Sequence, residues 1–252
     1  MTFRRHEHGP FRSFAVLARF AVDVATLWPK LFGVYPRECN ICGRVGKMLA
    51  FGRPPRFDAR CRRCGSLERH RLEAMWFRLN QGAIDDKRVL HFAPESVLSE
   101  MLRPKARSYI GADLDGRRAD SALNMEQIAL ADGSVDLIVC NHVLEHVDDA
   151  RALKEFYRVL DPGGIVLLMF PIVEGWSKTY ENPLVESQRD RTLYFGQSDH
   201  VRYYGYDVRD RIRSVGFELT EFTAQEPEVT RLALARGEKI FIATKPLQQR
   251  RS

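Results

Sequence analysis

The 252-residue sequence holds no uncharged stretch of ~18 or more apolar residues, the length a helix needs to cross a bilayer, so a membrane-spanning helix is not expected. It does not open on the basic, then apolar, then small-residue pattern of a secretory leader. Repeats of fixed period and low-complexity tracts are missing as well, which argues against solenoids and extended linkers. Cysteine is scarce at five, and four of the five fall in two CxxC pairs. That usage suits a reducing compartment where thiols hold metal rather than pair as disulfides, and the cytoplasm is the expected location. The fifth, Cys140, stands in an apolar run and reads as a buried residue.

What is present fits one α/β core with a small module beside it. Lysine and arginine number 39 against 33 acidic residues, a net charge of +6. The excess gathers at Arg4, Arg5 and Arg12, between Arg53 and Arg71, and at Arg250 and Arg251. Such an excess permits an anionic partner without requiring one.

Residues 11–32 separate into two faces at helical spacing. Phe14, Leu17, Ala21, Val24, Trp28 and Leu31 line one side, and Arg12, Arg19, Asp23 and Lys30 the other. An amphipathic helix is expected, with a kink or stop near Leu27 because Pro29 removes a hydrogen bond and clashes with the preceding turn. Its apolar stripe is expected to dock on the protein's own body. Peripheral contact of residues 11–32 with a membrane surface, or a dimer contact, is the alternative.

Cys39, Cys42, Cys61 and Cys64 form two knuckles with 18 residues between the pairs, inside the spacing of a tetrahedral zinc site. Four thiolates leave no open coordination position, so the role expected of the ion is structural. Residues 48–51 and 56–57 read as short strands, and a helix capped by Ser66 is expected to run to about Leu79.

From about Asp86 the pattern changes to short apolar runs alternating with helical segments. Candidate strands are 88–92, 108–113, 135–140, 165–170, 218–223 and 239–244, the signature of a mostly parallel α/β sheet. In such sheets ligands bind at the carboxyl ends of the strands. Asp161-Pro162-Gly163-Gly164 reads as a turn between a helix and a buried strand. The expected division is a helix at 1–35, a zinc ribbon with linker helix at 36–80, and a catalytic domain at 85–246.

The run from Asp132 to Val147 (DGSVDLIVCNHVLEHV), followed by Arg158-Val159-Leu160-Asp161-Pro162-Gly163-Gly164, resembles class I S-adenosylmethionine (SAM) dependent methyltransferases. The resemblance covers about residues 85–245. It implies a Rossmann-like sheet with helices on both faces, preceded here by the ribbon, and SAM as cofactor. Carried onto this sequence, it assigns His91, Phe92, Ala93 and Glu95 to the loop around the amino-acid part of SAM and Asp113 to the ribose. Asn124 and Met125 fall to the adenine, and Asn141 and His142 to the surroundings of the methyl group. One departure stands out: the family's first loop usually carries three glycines, and this chain has Ala93-Pro94-Glu95-Ser96-Val97 there.

Two further features bear on chemistry. His142-Val143-Leu144-Glu145-His146 fits an H-x-x-E-H zinc pattern, which would need a third ligand and a helix; the methyltransferase resemblance accounts for the same residues without metal. Residues 171–206 are too long for an ordinary connection and carry Trp176, Tyr194, Asp199, His200 and Arg202. His200, Asp199 and His142 are the candidates for the base, and Arg202, Tyr194 and Trp176 for substrate contact. An equal reading has His200 and Arg202 ordering the loop through hydrogen bonds. The expected reaction is methyl transfer to an oxygen or nitrogen of a small molecule or saccharide. Alternatives are an RNA methyltransferase using the basic ribbon, and a non-catalytic binding scaffold.

Overall fold

A computed structural model of the chain describes residues 10–117 and 119–247, and the side chains of residue 19 and of residues 21–117 and 119–247. Two compact units divide it: residues 1–72 with 225–236, and residues 73–224 with 237–252. The first unit thus recruits a segment from inside the 85–246 region.

The first unit opens with α1 (Pro10–Leu31), followed by β1 (Arg37–Glu38), β2 (Val45–Gly46), β3 (Leu49–Phe51) and β4 (Arg56–Arg60). β1 pairs with β2 and β3 with β4, each antiparallel. α1 continues through Pro29 to Leu31, past the stop expected near Leu27. Of the stripe, Ala21, Val24 and Trp28 are exposed and Leu31 is half-buried, and the helix lies against β3 and β4. Val24 and Trp28 depart from the expectation that the stripe packs on the protein's own body, whereas Leu31 is in keeping with it. The stripe's Phe14 and Leu17, and the basic Arg4, Arg5, Arg12, Arg250 and Arg251, lie outside the described side chains.

α2 (Glu68–Leu79) spans the boundary between the units. Before its start, Ser66 is fully buried with its hydroxyl at the Cys39 sulfur, and the imidazole of His70 accepts from the Leu67 amide. Arg71, on this helix, is completely buried and donates to five carbonyls, those of Asp58, Ala59, Ser66, Leu232 and Ala233. A buried guanidinium with its donors met by carbonyls ties the knuckle, the β4 end and the 225–236 segment into one unit.

The second unit carries β5 (Arg88–Phe92), α3 (Ser96–Leu102), β6 (Ser108–Asp113), β7 (Ser121–Ala122), β8 (Val135–Asn141), α4 (Asp149–Val159) and β9 (Leu160–Met169). There follow β10 (Tyr180–Glu181), α5 (Gln188–Phe195), β11 (Arg202–Tyr203), α6 (Val208–Ser214) and β12 (Glu218–Phe222). After α7 (Glu228–Arg231) of the first unit, β13 (Ile240–Thr244) completes the sheet. Seven strands lie in the order β12-β13-β9-β8-β5-β6-β7. β5 through β9 are parallel to one another, and β13 runs antiparallel between β9 and β12. The order reverses between β5 and β8, so right-handed crossovers send helices to both faces and leave the switch point at the carboxyl ends of those two strands.

Local sequence explains the key pieces. Asp148 caps α4 by accepting from the Arg151 amide, and Ala152, Leu153, Phe156 and Val159 bury one stripe against the sheet. Asp161–Gly164 belongs to β9 rather than to a separate turn. Val135 pairs with Leu160 and Leu137 with Ile165, so the extra residues form an irregular bulged stretch. Gly164 is required there, since a Cβ would come within 2.9 Å of the Asp161 carbonyl and 3.0 Å of the Asp136 carbonyl.

Candidate functional site

The switch point is marked by two strained residues. Ala93, directly after β5, has φ +46°, and His142, directly after β8, has φ +53°. Left-handed backbone is uncommon for residues with a Cβ and gathers where function over-determines the chain. Ala93 therefore adopts the conformation that a glycine would supply in the family's loop. Its amide still continues the β5–β6 ladder to the Ala112 carbonyl at 2.8 Å.

Around this point the predicted cofactor residues take different roles. His91 is fully buried, with Nδ1 at 2.8 Å from the Tyr109 hydroxyl, which in turn lies 2.8 Å from the Ser99 hydroxyl. Phe92 is buried against Phe156. These two side chains pack behind the loop. Glu95 and Ala93 are half-buried on the loop itself. Asp113 ends β6, half-buried, with Oδ1 accepting from the Leu114 amide. The Asn124 side-chain carbonyl accepts from the Glu126 amide in a local turn, and so is already engaged; Met125 is buried.

At the tip of β8, Asn141 is buried and donates Nδ2 to the Glu73 carboxylate at 2.9 Å. Its carbonyl oxygen is buried without a hydrogen-bond partner among the described residues. Buried polar atoms are nearly always paired, so an orphan acceptor at a switch point invites a donor from a ligand. The ammonium group of SAM is such a donor, and the residues present fit that cofactor. Glu73 escaped sequence reasoning because it lies on the linker helix, outside every motif.

Beyond His142 the chain makes a 3-10 turn, Leu144–His146, and the 171–206 segment folds back onto it. The Val201 amide donates to the Glu145 carbonyl at 3.0 Å, bringing His200 beside residues 55 positions earlier. Glu145 is 1% exposed, and neither carboxylate oxygen has a hydrogen-bond partner among the described residues. His142 Nδ1 lies 3.5 Å from Glu145 Oε1, and His200 Nε2 4.0 Å from it. His146 Nδ1 lies 3.2 Å from the Asp199 carbonyl oxygen, and its ring meets that of His200 edge-on at 4.6 Å. Burial is the main force holding the His200 pKa below its ordinary value, with the Glu145 carboxylate opposing it. His142 keeps 35% of its side chain exposed.

Arg202, read as a substrate contact, is instead consumed by the protein. It is buried, with Nε at 2.5 Å from Glu181, and it donates to the carbonyls of Leu144 and Val147. Glu181, Arg211, Asp149 and the buried Tyr204 extend the same network. The loop-ordering reading holds for this residue. Trp176 and Tyr194 are exposed, the former edge-on to Tyr180 and Tyr203. Asp199 is exposed and hydrogen-bonded to Gln197. A cavity of about 690 Å³ lies at the other end of the sheet, against Lys87, Asp136 and Asp161, and so is not the cofactor position.

In the first unit the four cysteines converge. Cys39 and Cys64 sulfurs lie 3.6 Å apart, and those of Cys42 and Cys61 3.7 Å. Ligand bonds of ~2.3 Å place sulfurs about 3.8 Å apart around a tetrahedral zinc, so the arrangement fits that ion. Gly43 and Gly65 both turn through positive φ, and their amides donate to the Cys39 and Cys61 carbonyls. Burial raises the Cys39 thiol, but the Ser66 hydroxyl and the Cys42 and Ile41 amides outweigh it and bring the pKa to about 7. The arginines suited to phosphate contact are partly spent: Arg71 is buried, Arg56 pairs with Glu68, and Arg62 and Arg63 donate to carbonyls.

Strand order and the reversed β13 are those of the class I SAM-dependent methyltransferase fold, here preceded by a four-cysteine cluster. A family model described as a methyltransferase domain matches residues 95–168. The ubiquinone/menaquinone biosynthesis C-methyltransferase UbiE of Klebsiella pneumoniae strain 342 is 29% identical over 130 residues, covering 46% of this chain and 51% of that protein. UbiE of Escherichia coli O1:K1 / APEC matches to the same extent. The chain therefore spans about half the length of the curated relatives it matches. The fold is also that of a SAM-dependent methyltransferase from Mesorhizobium loti, with a TM-score of 0.51 and 16% identity over 69% of this chain and 97% of that one. YcgJ of Bacillus subtilis gives a TM-score of 0.51 and 13% identity over 71% and 100%.

Proposed function

We propose that the protein transfers a methyl group from SAM to an ionisable oxygen or nitrogen of a small molecule, with a saccharide among the candidates. The orphan carbonyl of Asn141 at the switch point is the observation that carries cofactor binding. Asp113, at the end of the neighbouring strand, supplies a carboxylate for the ribose hydroxyls. His142 is the base: it stands at the tip of β8 with part of its ring open, and Glu145 sits behind it. His200 is too buried for that task. The acceptor's lone pair forms the bond to the methyl carbon while the carbon–sulfur bond breaks, its electrons staying on sulfur; the acceptor's proton passes to His142.

C-methylation, the reaction named for the curated relatives, is the second reading, and product analysis separates the two. The spent ribbon arginines disfavour RNA as the acceptor. In the ribbon, the four thiolates are suited to a structural zinc. Calorimetry with SAM tests the reading: binding in the micromolar range is expected, weakened at least tenfold by Asn141→Ala. No binding up to millimolar SAM would leave a scaffold instead of an enzyme.

A further inference from the structure

We propose that Glu145, His146 and His200 bind a divalent transition-metal ion at the carboxyl end of β8, a second metal site distinct from the cysteine ribbon. Its place in the chemistry rests on the methyl-transfer reading, whereas its existence rests on geometry alone. One ligand atom from each of the three residues lies within 4.8 Å of the others. The site takes Glu145 and His146 from the H-x-x-E-H run but not His142, and the folded-back 171–206 segment adds His200.

The carboxylate makes the strongest case. Glu145 is 1% exposed, and its two oxygens accept no hydrogen bond from the described residues. A charge in that position is expensive unless a cation or strong donors compensate it. Its ion-pair neighbours are imidazoles, His142 at 3.5 Å and His200 at 4.0 Å, both beyond ordinary hydrogen-bond length. An ion between the carboxylate and the two rings resolves this.

Two imidazoles and one carboxylate suit zinc, iron, cobalt, nickel or manganese better than calcium or magnesium, which take oxygen sets. The ligands are also held from behind. Nδ1 of His146 faces the Asp199 carbonyl at 3.2 Å and carboxylate at 3.4 Å, leaving Nε2 for the metal. Arg202 fixes the turn through the Leu144 and Val147 carbonyls. Bonds of ~2.1 Å put ligand atoms about 3 to 3.5 Å apart, so the site contracts by about 1 Å on loading.

Three protein ligands leave coordination positions open, in contrast to the filled cysteine site. A hydroxyl of the acceptor bound there would be acidified beside His142, so oxygen acceptors that can chelate are the substrate class this site selects.

The test uses the full chain with Zn(II) as probe, counted by elemental analysis after gel filtration and by calorimetric titration. Wild type is expected to hold two equivalents, Glu145→Gln and His200→Ala one, and Cys39→Ser to lose the other. A single equivalent in wild type, or a second that survives both Glu145→Gln and His200→Ala, overturns the proposal. Should the variants fail to fold, Co(II) added to wild type already carrying one zinc decides it. Visible d–d bands without sulfur-to-cobalt charge transfer support the site, and thiolate bands alone sink it. SAM titrated into the same samples reports on the methyltransferase reading independently: a second ion without SAM binding fails that reading while the metal site stands.

Discussion

Asn141 gives its side-chain amide to the Glu73 carboxylate at 2.9 Å, with both residues shielded from solvent. The bond fixes which way the Asn141 carbonyl points, and that carbonyl is the acceptor we propose for the cofactor. Glu73→Ala is expected to cost about 1 to 3 kcal/mol of stability by stranding a buried donor. It should also weaken SAM at least tenfold without touching it. Urea unfolding and calorimetry on the same variant check this; unchanged SAM affinity would show that the amide needs no such anchor.

Ala93 stores strain where a glycine would store none. Left-handed backbone costs a residue with a Cβ about 1 to 2 kcal/mol, partly offset by the greater freedom glycine has when unfolded. Ala93→Gly should therefore leave stability unchanged or raise it by up to about 1 kcal/mol, whereas Ala93→Val should lower it by at least about 1 kcal/mol, since branching worsens the strain. Thermal melts of the two variants distinguish this from a loop that relaxes freely.

How much of this was legible in the sequence depends on the range of the interaction. The strands at 88–92 and 108–113 and the cysteine site were readable because apolar periodicity and CxxC spacing are local signals. The bulge at Asp161–Gly164 was not, because its turn chemistry is overridden by pairing with β8. His200 reaching Glu145 and Arg202 reaching Leu144 depend on the 171–206 segment folding back, a closure that leaves no pattern in the residues themselves. Chemical character alone made Arg202 look like a substrate ligand; only its buried network shows that its donors are taken.

Arg71 offers a test of what holds the first unit together besides metal. Its five carbonyl partners would lose the guanidinium in Arg71→Met, an unbranched but shorter side chain with no donors. Hydrogen bonds from a charged donor contribute about 1.5 to 3 kcal/mol each, but they are not additive, so a total loss of about 3 to 5 kcal/mol is expected. Zinc should then leave the ribbon faster in a chelator competition. An unaltered release rate would mean that the thiolate cage is sufficient by itself.

Acid should weaken the sheet through Asp136. Its carboxylate accepts from the Arg88 guanidinium at 2.6 Å and from the Arg88 amide at 2.8 Å, at the start of adjacent strands β5 and β8. The Arg88 hydrogen bond, opposed by burial, holds its pKa below the ordinary carboxylate value. A depressed folded pKa means that the unfolded chain takes up the proton first. The stabilisation is thus fully present above the unfolded value of ~3.9 and is lost as pH falls through the lower folded one. Asp136→Asn should accordingly be less stable than wild type at pH 7, with the gap closing below about pH 4. Denaturant midpoints measured from pH 7 to pH 2 check it, and a gap that stays constant to pH 2 would remove the ion pair from the account of acid sensitivity.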